Sequence, residues 1–594
     1  MASKSIFSKS VLFQVLYLCV TFQGTDAWCQ HPIKHTHAST GRGGSSLPRW
    51  PVSKKISSLR KIKWQRSSKL FSHLESDNHR SQISINPIMK SRIKLSKFSA
   101  LLLAVLHLLK TRIQRLLWPG FWKSDPNIDA PLPPAAPLGC PFFGNNILAG
   151  STTKGPEFFY SQTSARLGHP SIWRFYFMGI PIISVSGSKN VNDVLQNKKF
   201  NISSMGQSDD NIGGKGKEKR NDLYSSNSVM FETDKERHLF LRHLIGAAFS
   251  PNAVKQGIGK IVQAAEEQIA EVKGGQRVDM EDICENFTLD IAWRQIIGLD
   301  LKDADEIEKF HKAVNTYVSG IFSFASYVSN LPGKTLLPSF RARMYLVSKI
   351  KERIQYLQEN GPDDSTLSAM VFSSHEKSNR SLSTDDVIEN ALILLVAGTE
   401  TTSSTLTSAM YFLGLHPHIF EKLSEEQHDI ISVHGPDINP KVLDKCHYLE
   451  AFISETMRLV PVSGANLRKA EETFVLDGKQ IPKGTPVFCN IRLTHELDPK
   501  TSSMDPLVGF KPERWLNSSM KPGGDFMPFG TGSRRCLGAS LAMAEMRVFL
   551  TTFIRSVDSF DLLCDVSSTK GTLLWNPSSI IPKPNGGVSI LVRT

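Results

Sequence analysis

No Cys-x-x-Cys pair occurs among the 594 residues, and the eight cysteines stand apart at positions 19, 29, 140, 284, 446, 489, 536 and 564. That scatter argues against a disulfide framework or a zinc site and leaves each thiol to be judged by its own surroundings. Long apolar runs are missing too. Neither Val11–Phe22 nor Phe98–Leu109 approaches the roughly 20 apolar residues that a membrane-spanning helix needs. Acids are almost absent from the first 124 residues, where Asp26, Glu75 and Asp77 face 21 Lys/Arg, a net charge of +18. The other 470 residues carry 49 Lys/Arg against 53 acids, a net of −4, so the overall +14 belongs to the leader. A nearly neutral main body gives nucleic acid no basic face to bind, whereas the leader suits targeting or contact with an anionic membrane. Apolar residues at 40% and charged residues at 21% exclude a disordered or fibrous chain.

The leader has three parts. Residues 1–27 read as a cleaved signal peptide, with Lys4 and Lys9 before the apolar run and Thr25-Asp26-Ala27 after it. Residues 28–97 form a basic, transit-like linker that begins at Trp28 and is free of Asp and Glu as far as Leu74. Signal followed by transit composition resembles the bipartite presequences of algae with complex plastids; a basic linker behind a signal for the endoplasmic reticulum is the alternative. Residues 98–124 hold a short apolar segment flanked by Lys94, Lys97, Lys110, Arg112 and Arg115 and followed by Trp118, a pattern that fits an interfacial membrane contact better than a span. Pro131-Leu-Pro-Pro-Ala-Ala-Pro137 then stiffens the chain, because proline fixes φ and denies helix.

The main chemical signal is Phe529-Gly-Thr-Gly532-Ser-Arg534-Arg-Cys536-Leu-Gly538, followed by a helical pattern over 539–550. Cys536 stands at a helix entrance, where backbone N–H groups and the helix dipole favour the thiolate, the form a metal ligand needs. Glycine at 532 and 538 permits close approach of the backbone to a bound group. A structural cysteine in a glycine turn is the alternative. Upstream, Leu382 to Thr407 reads as one long helix opened by Ser383 with Asp386 three residues on. Its run Ala391-Leu-Ile-Leu-Leu-Val-Ala397 is apolar on all sides, which implies passage through the domain centre. It delivers Gly398-Thr399-Glu400-Thr401-Thr402 into that interior, for proton transfer or for hydroxyls that only back-bond to helix carbonyls. Glu455 and Arg458 share one helix face at a spacing that allows a bidentate pair.

The decapeptide around Cys536 resembles the haem-binding signature of cytochrome P450 enzymes, and the upstream motifs follow in that family's order and spacing from about Pro131 to the C-terminus. The resemblance implies a mainly α fold with small β-sheets (α+β) and a single large catalytic domain, 125–594, behind the leader, with Pro131–Pro137 as its proline-rich hinge. It implies haem b with Cys536 as the axial thiolate to iron, Phe529 beside the sulfur, and Arg534 on a haem propionate. Arg468, His238 and Arg242 look like further propionate partners; His238 departs from the Trp common there. Glu400 and Thr401 match the family's acid and alcohol that relay protons to bound O2. Arg514 in Phe510-Lys-Pro-Glu-Arg-Trp resembles the third member, with Glu455 and Arg458, of a structural Glu-Arg-Arg network.

The implied activity is a monooxygenase that inserts one atom of O2 into a small hydrophobic substrate. A haem-thiolate isomerase or dehydratase of lipid hydroperoxides, or a non-catalytic haem sensor, are the alternatives. No flavin or iron–sulfur segment accompanies the domain, so electrons come from a separate donor, a ferredoxin or an NADPH-dependent flavoprotein reductase. Val460–Arg468 and Gln480–Gly484 resemble the branch that handles retinoids, sterols and related isoprenoids. The protein is expected on a membrane surface, in a plastid or, alternatively, the endoplasmic reticulum. The polar stretch 201–233 is expected to be a loop.

Overall fold

The structure, a computed structural model, describes residues 124–136, 155–177, 180–196, 202–204, 227–232, 234–272, 274–321, 337–375, 380–500, 503–563, 582–584 and 587–593. The readings for 1–27 and 28–97, and that for 98–124 up to its last residue, lie outside these, as does 205–226 of the expected loop. Among the described residues no helix is long and apolar enough to cross a membrane.

Helices dominate. In chain order they are α1 (Gly155–Arg166), α2 (Ser188–Gln196), α3 (Lys235–Gly246), α4 (Pro251–Ile269), α5 (Met280–Ile291), α6 (Ala304–Ile321), α7 (Pro338–Asn360) and α8 (Thr366–Val371). There follow α9 (Thr384–Leu415), α10 (Pro417–His434), α11 (Pro440–Leu443), α12 (His447–Leu459), α13 (Ile491–Glu496), α14 (Glu513–Leu516) and α15 (Ala539–Ser556). The strands are β1 (Ile172–Phe177), β2 (Ile180–Val185), β3 (Ile202–Ser204), β4 (Arg277–Asp279), β5 (Ser374–His375), β6 (Arg380–Ser381), β7 (Ala465–Ala470), β8 (Phe474–Leu476), β9 (Lys479–Ile481), β10 (Pro486–Asn490), β11 (Ser559–Leu562) and β12 (Ser589–Arg593).

The largest sheet runs β1-β2-β10-β7-β3, and a smaller one runs β11-β12-β4. Its β2–β10 pair is parallel, with Ile183 opposite Val487, and the remaining pairs are antiparallel. The stretch 201–233 is therefore not wholly a loop, because Ile202–Ser204 pairs with β7, Ile202 opposite Ala470. The proline segment docks against the same sheet. Ala135 bridges Arg174, and the buried Gln480 fixes the chain just before it by accepting from Asp125 N at 2.8 Å and donating to Asp125 O and Ile128 O.

Helix α9 is the axis of the core. Its start follows from local chemistry: Ser383 Oγ accepts from Asp386 N, and the Asp386 carboxylate accepts from Ser383 N, a reciprocal capping box. Its end lies eight residues beyond the Thr407 expected from sequence, because the helix carries on through Gly414 and Pro417 is the first residue that forbids continuation. The 32 residues span about 48 Å. Leu392, Leu395, Leu406, Met410 and Phe412 on this helix are fully buried in the main apolar cluster, which also takes in Phe549 and Phe553 of α15.

Candidate functional site

The loop before α15 is built by glycine geometry. Gly530 and Gly532 hold φ of +67° and +74°, in the left-handed region that side-chain-bearing residues avoid. A Cβ on Gly532 would stand 2.5 Å from the Leu195 carbonyl at the end of α2, so this glycine is required by the protein's own backbone. Around Gly538, by contrast, a Cβ would meet nothing within 4 Å. The loop closes when Cys536 N donates to Phe529 O at 2.9 Å, and Phe529 packs on the main core. Cys284, Cys446 and Cys489 are buried, whereas Cys536 is exposed. Burial nevertheless pushes the Cys536 thiol pKa up, while the Gly538 N–H, Arg535 and Arg242 pull it down. A thiol both accessible and desolvated borders a recess inside the protein. The helix entrance does favour the thiolate, as its position implies, but that pull is smaller than the cost of burial.

Around the recess the structure gathers His238 and Arg242 from α3, Arg468 from β7, and Arg534 from the loop. Burial, then Arg534, Arg242 and Arg468, lower the His238 pKa to about 4, so its imidazole is neutral at pH 7. Burial and then Arg468 lower Arg534 to about 10, with Arg242 adding to the effect and Glu232 opposing it. Arg468 and Arg242 are likewise lowered, first by burial. The Glu232 carboxylate is engaged by Arg237 at 2.8 Å. Arg534 donates to the carbonyls of Val229, at 3.1 Å, and Glu232. Arg468 donates to the Leu467 carbonyl at 2.9 Å. Buried like charges repel one another and are desolvated, so this arrangement calls for an anion of complementary charge.

Glu400 and Thr401 lie near the middle of α9. A Cβ on Gly398, just before them, would come to 3.3 Å from Ile296 Cδ1, a tight approach to the tip of that side chain. Thr401 Oγ1 donates to Ala397 O at 2.7 Å, and Thr399, Thr405 and Thr407 likewise bond four residues back. Two other hydroxyls reach beyond this helix. Thr402 meets Glu545 of α15, and Ser404 donates to the Pro582 carbonyl. Glu545 is buried, and the loss of solvent raises its pKa to about 8, so the helix that follows Cys536 is tied to α9 by a carboxylic acid bonded to Thr402. The Glu400 carboxylate lies 3.7 Å from Lys583 Nζ.

Glu455, Arg458 and Arg514 come together as expected. Arg458 Nε and Nη2 donate to the two Glu455 oxygens, each at 2.8 Å, and Arg514 Nε lies 3.5 Å away. All three are at most 1% exposed, and Trp515 Nε1 and Lys511 N also donate to Glu455. His495 extends this network toward the Cys536 loop. Its Nε2 accepts from Met527 N at 3.1 Å, so Nδ1 carries the proton and donates to Arg458 O at 3.2 Å.

Sequence reasoning missed His495, Glu545 and Lys583. Glu545 carried a signal, as a single acid in the apolar run after Cys536. Lys583 and His495 carried none, because their partners lie far away in the chain.

The recess thus offers a soft thiol donor with buried cationic and neutral donors beside it, a set that fits haem through its iron and its two carboxylates. A model of the cytochrome P450 family matches residues 133–587. The chain is 27% identical over 475 residues to cytochrome P450 26C1 of Mus musculus, covering 74% of this chain and 86% of that protein. It is 28% identical over 430 residues to cytochrome P450 85A1 of Brachypodium distachyon, covering 71% and 86%. Among solved structures, the retinoic acid bound cyanobacterial CYP120A1 matches with a TM-score of 0.63 at 24% identity, over 78% of this chain and 100% of that one. The mainly α architecture with its small sheets is the cytochrome P450 fold, and the chain belongs to the cytochrome P450 family of haem-thiolate enzymes.

Proposed function

We propose that the protein is a monooxygenase for an isoprenoid-type hydrophobic substrate, with Cys536 as the iron ligand and electrons supplied by a separate protein. The observation that carries the assignment is the accessible, desolvated Cys536 thiol beside a buried basic group. When bound, haem supplies the iron that activates O2, and a thiolate ligand favours O–O cleavage.

The protein's own residues have separable tasks. Cys536 Sγ would hold the iron as the thiolate, helped by the Gly538 N–H and the charges of Arg535 and Arg242. Arg242, Arg468 and Arg534 would hold the haem carboxylates by charge, and the neutral His238 ring beside them would offer an N–H donor. Phe529, packed on the main core, would shield the sulfur, and the open space at Gly538 would leave room for a bound macrocycle. Thr401 Oγ1 exchanges its bond to Ala397 O for one directed into the recess and passes on a proton held by Glu400. Glu455, Arg458 and Arg514 hold the frame of the Cys536 side.

Two observations favour an isoprenoid. The cyanobacterial structure is of a protein with retinoic acid bound, and Val460–Arg468 resembles the retinoid- and sterol-handling branch. The basic leader favours work at a membrane surface, in a plastid, where a ferredoxin would be the donor. The catalytic domain is taken to span 125–594.

Haem-loaded protein screened against retinoic acid, a sterol and a carotenoid by substrate-induced absorption shifts tests this reading. An isoprenoid is expected to give the shift and then a product carrying one atom from labelled O2, formed only with a reductant. Product formed from a lipid hydroperoxide without O2 or reductant would overturn it in favour of isomerase or dehydratase chemistry.

A further inference from the structure

Behind Glu400 lies a charge cluster that the relay does not account for. Lys583 is 8% exposed, and its Nζ lies 3.2 Å from Glu281 Oε1 and 3.7 Å from Glu400 Oε2. Its position is fixed from α9 itself, because Ser404, one turn after Glu400, holds the carbonyl of the preceding Pro582. Glu281 and Glu285 stand one turn apart on α5, on the same face of that helix. Burial opposes the Lys583 charge, but Glu400, Glu281 and Glu285 outweigh it and raise its pKa. Glu285 feels the opposite balance. Burial raises its pKa, and Glu400, Glu281 and Asp282 add to that against the pull of Lys583. Asp279 of β4 and the buried Cys284 complete the titratable groups around the cluster.

Two carboxylates thus contact one ammonium, and Glu285, one turn from Glu281, lies within its electrostatic reach. When all are ionised the cluster carries a net negative charge away from free solvent, so one carboxyl is favoured to keep its proton. Glu285 is half-buried and Asp282, three residues before it, is exposed, which gives this proton a path to water.

We propose that Lys583 is a positioning residue for the Glu400 carboxylate and that Glu285 is the group that resupplies Glu400 with its proton. The transfer balances without a further reactant. Glu285 loses its carboxyl proton, Glu400 gains it, the charge left on Glu285 faces Lys583, and solvent reprotonates Glu285 past Asp282. The inference rests on Glu400 acting as the relay acid.

Two measurements on the haem-loaded full chain test it separately. Infrared difference titration of the Glu285 C=O stretch, assigned by its loss in Glu285→Gln, is expected to move its midpoint up by about one pH unit in Lys583→Met, which removes the cation that pulls it down. Lys583→Arg is expected to restore it. An unchanged midpoint in Lys583→Met overturns the positioning role. The second measurement is hydrogen-peroxide-driven oxidation of guaiacol. Glu285→Gln is expected to slow it about tenfold, less than the hundredfold or more for loss of the relay acid itself, and Glu285→Asp is expected to recover most of the rate. A slowed Glu400→Gln beside an unaffected Glu285→Gln sinks the supply role alone. An unaffected Glu400→Gln sinks the relay reading and the supply role with it, while the infrared result still decides the place of Lys583.

Discussion

Cys536 is under two opposing influences, and their balance has a measurable consequence. Burial favours the neutral thiol, and the Gly538 N–H, Arg535 and Arg242 together do not cancel it. If Cys536 holds the haem iron as proposed, the metal that replaces the proton would complete deprotonation. Titrating haem into the haem-free chain in weak buffer is expected to release about one proton per haem. Cys536→Ser should abolish that release together with the thiolate-type carbon monoxide difference band. Equal proton release by wild type and variant would place the ligand elsewhere. His495 is a second residue whose state is set by burial, which lowers its pKa from 6.5 to about 3. Folded and unfolded chains then differ in bound protons between those values, the unfolded chain taking up a proton that the folded one refuses. Stability contributed by neutral His495 is full above pH 6.5 and is lost as pH falls toward 3. Urea unfolding across that range is expected to show a falling midpoint, and His495→Gln, which cannot titrate, should flatten part of the fall.

At the scale of elements, α12 and α14 are joined by charge. Glu455 stands between two buried guanidinium groups and accepts two further N–H bonds, from Trp515 and Lys511. Glu455→Ala leaves Arg458 and Arg514 buried without a counter-charge, at a cost of about 3–5 kcal/mol. Denaturant unfolding should read this loss, and haem should dissociate faster because His495 links Arg458 to the Cys536 loop. Arg458→Lys should recover little, since an ammonium cannot form the two parallel bonds. These elements were legible in the sequence because their signals are local. The Glu455–Arg458 spacing lies within one helical turn, and the Ser383–Asp386 box lies within one helix end. The end of α9 was less legible, since between Thr407 and Pro417 only Gly414 weakens a helix, and the chain stays helical through it. The glycine at 532 was read as making room for a bound group, whereas the Leu195 carbonyl already demands it. That demand comes from α2, more than three hundred residues earlier, and no local pattern carries it.

In the whole molecule, function depends on contacts between distant parts of the chain, and those were the least legible. Strand β2 pairs with β10 about three hundred residues later, and Lys583 reaches Glu400 and Glu281 from near the C-terminus. Family motifs pointed to candidate residues on α9 and in the Cys536 loop, but the groups behind them follow from packing alone. Charge is the exception, because its division along the chain is visible without any fold. A leader of net +18 in front of a body of net −4 makes a polarised molecule. Each Lys or Arg near an anionic bilayer contributes about 1 kcal/mol, and that attraction decays within a Debye length of about 10 Å at 0.1 M salt. The full chain is therefore expected to sediment with vesicles containing phosphatidylserine at low salt and to remain in solution with neutral phosphatidylcholine vesicles. Raising the salt to about 1 M, where the screening length shrinks to about 3 Å, should release the charge-held fraction. What stays bound measures the apolar segment 98–109 by itself. Equal sedimentation with both vesicle types at every salt concentration would mean that this segment, not the basic leader, makes the membrane contact.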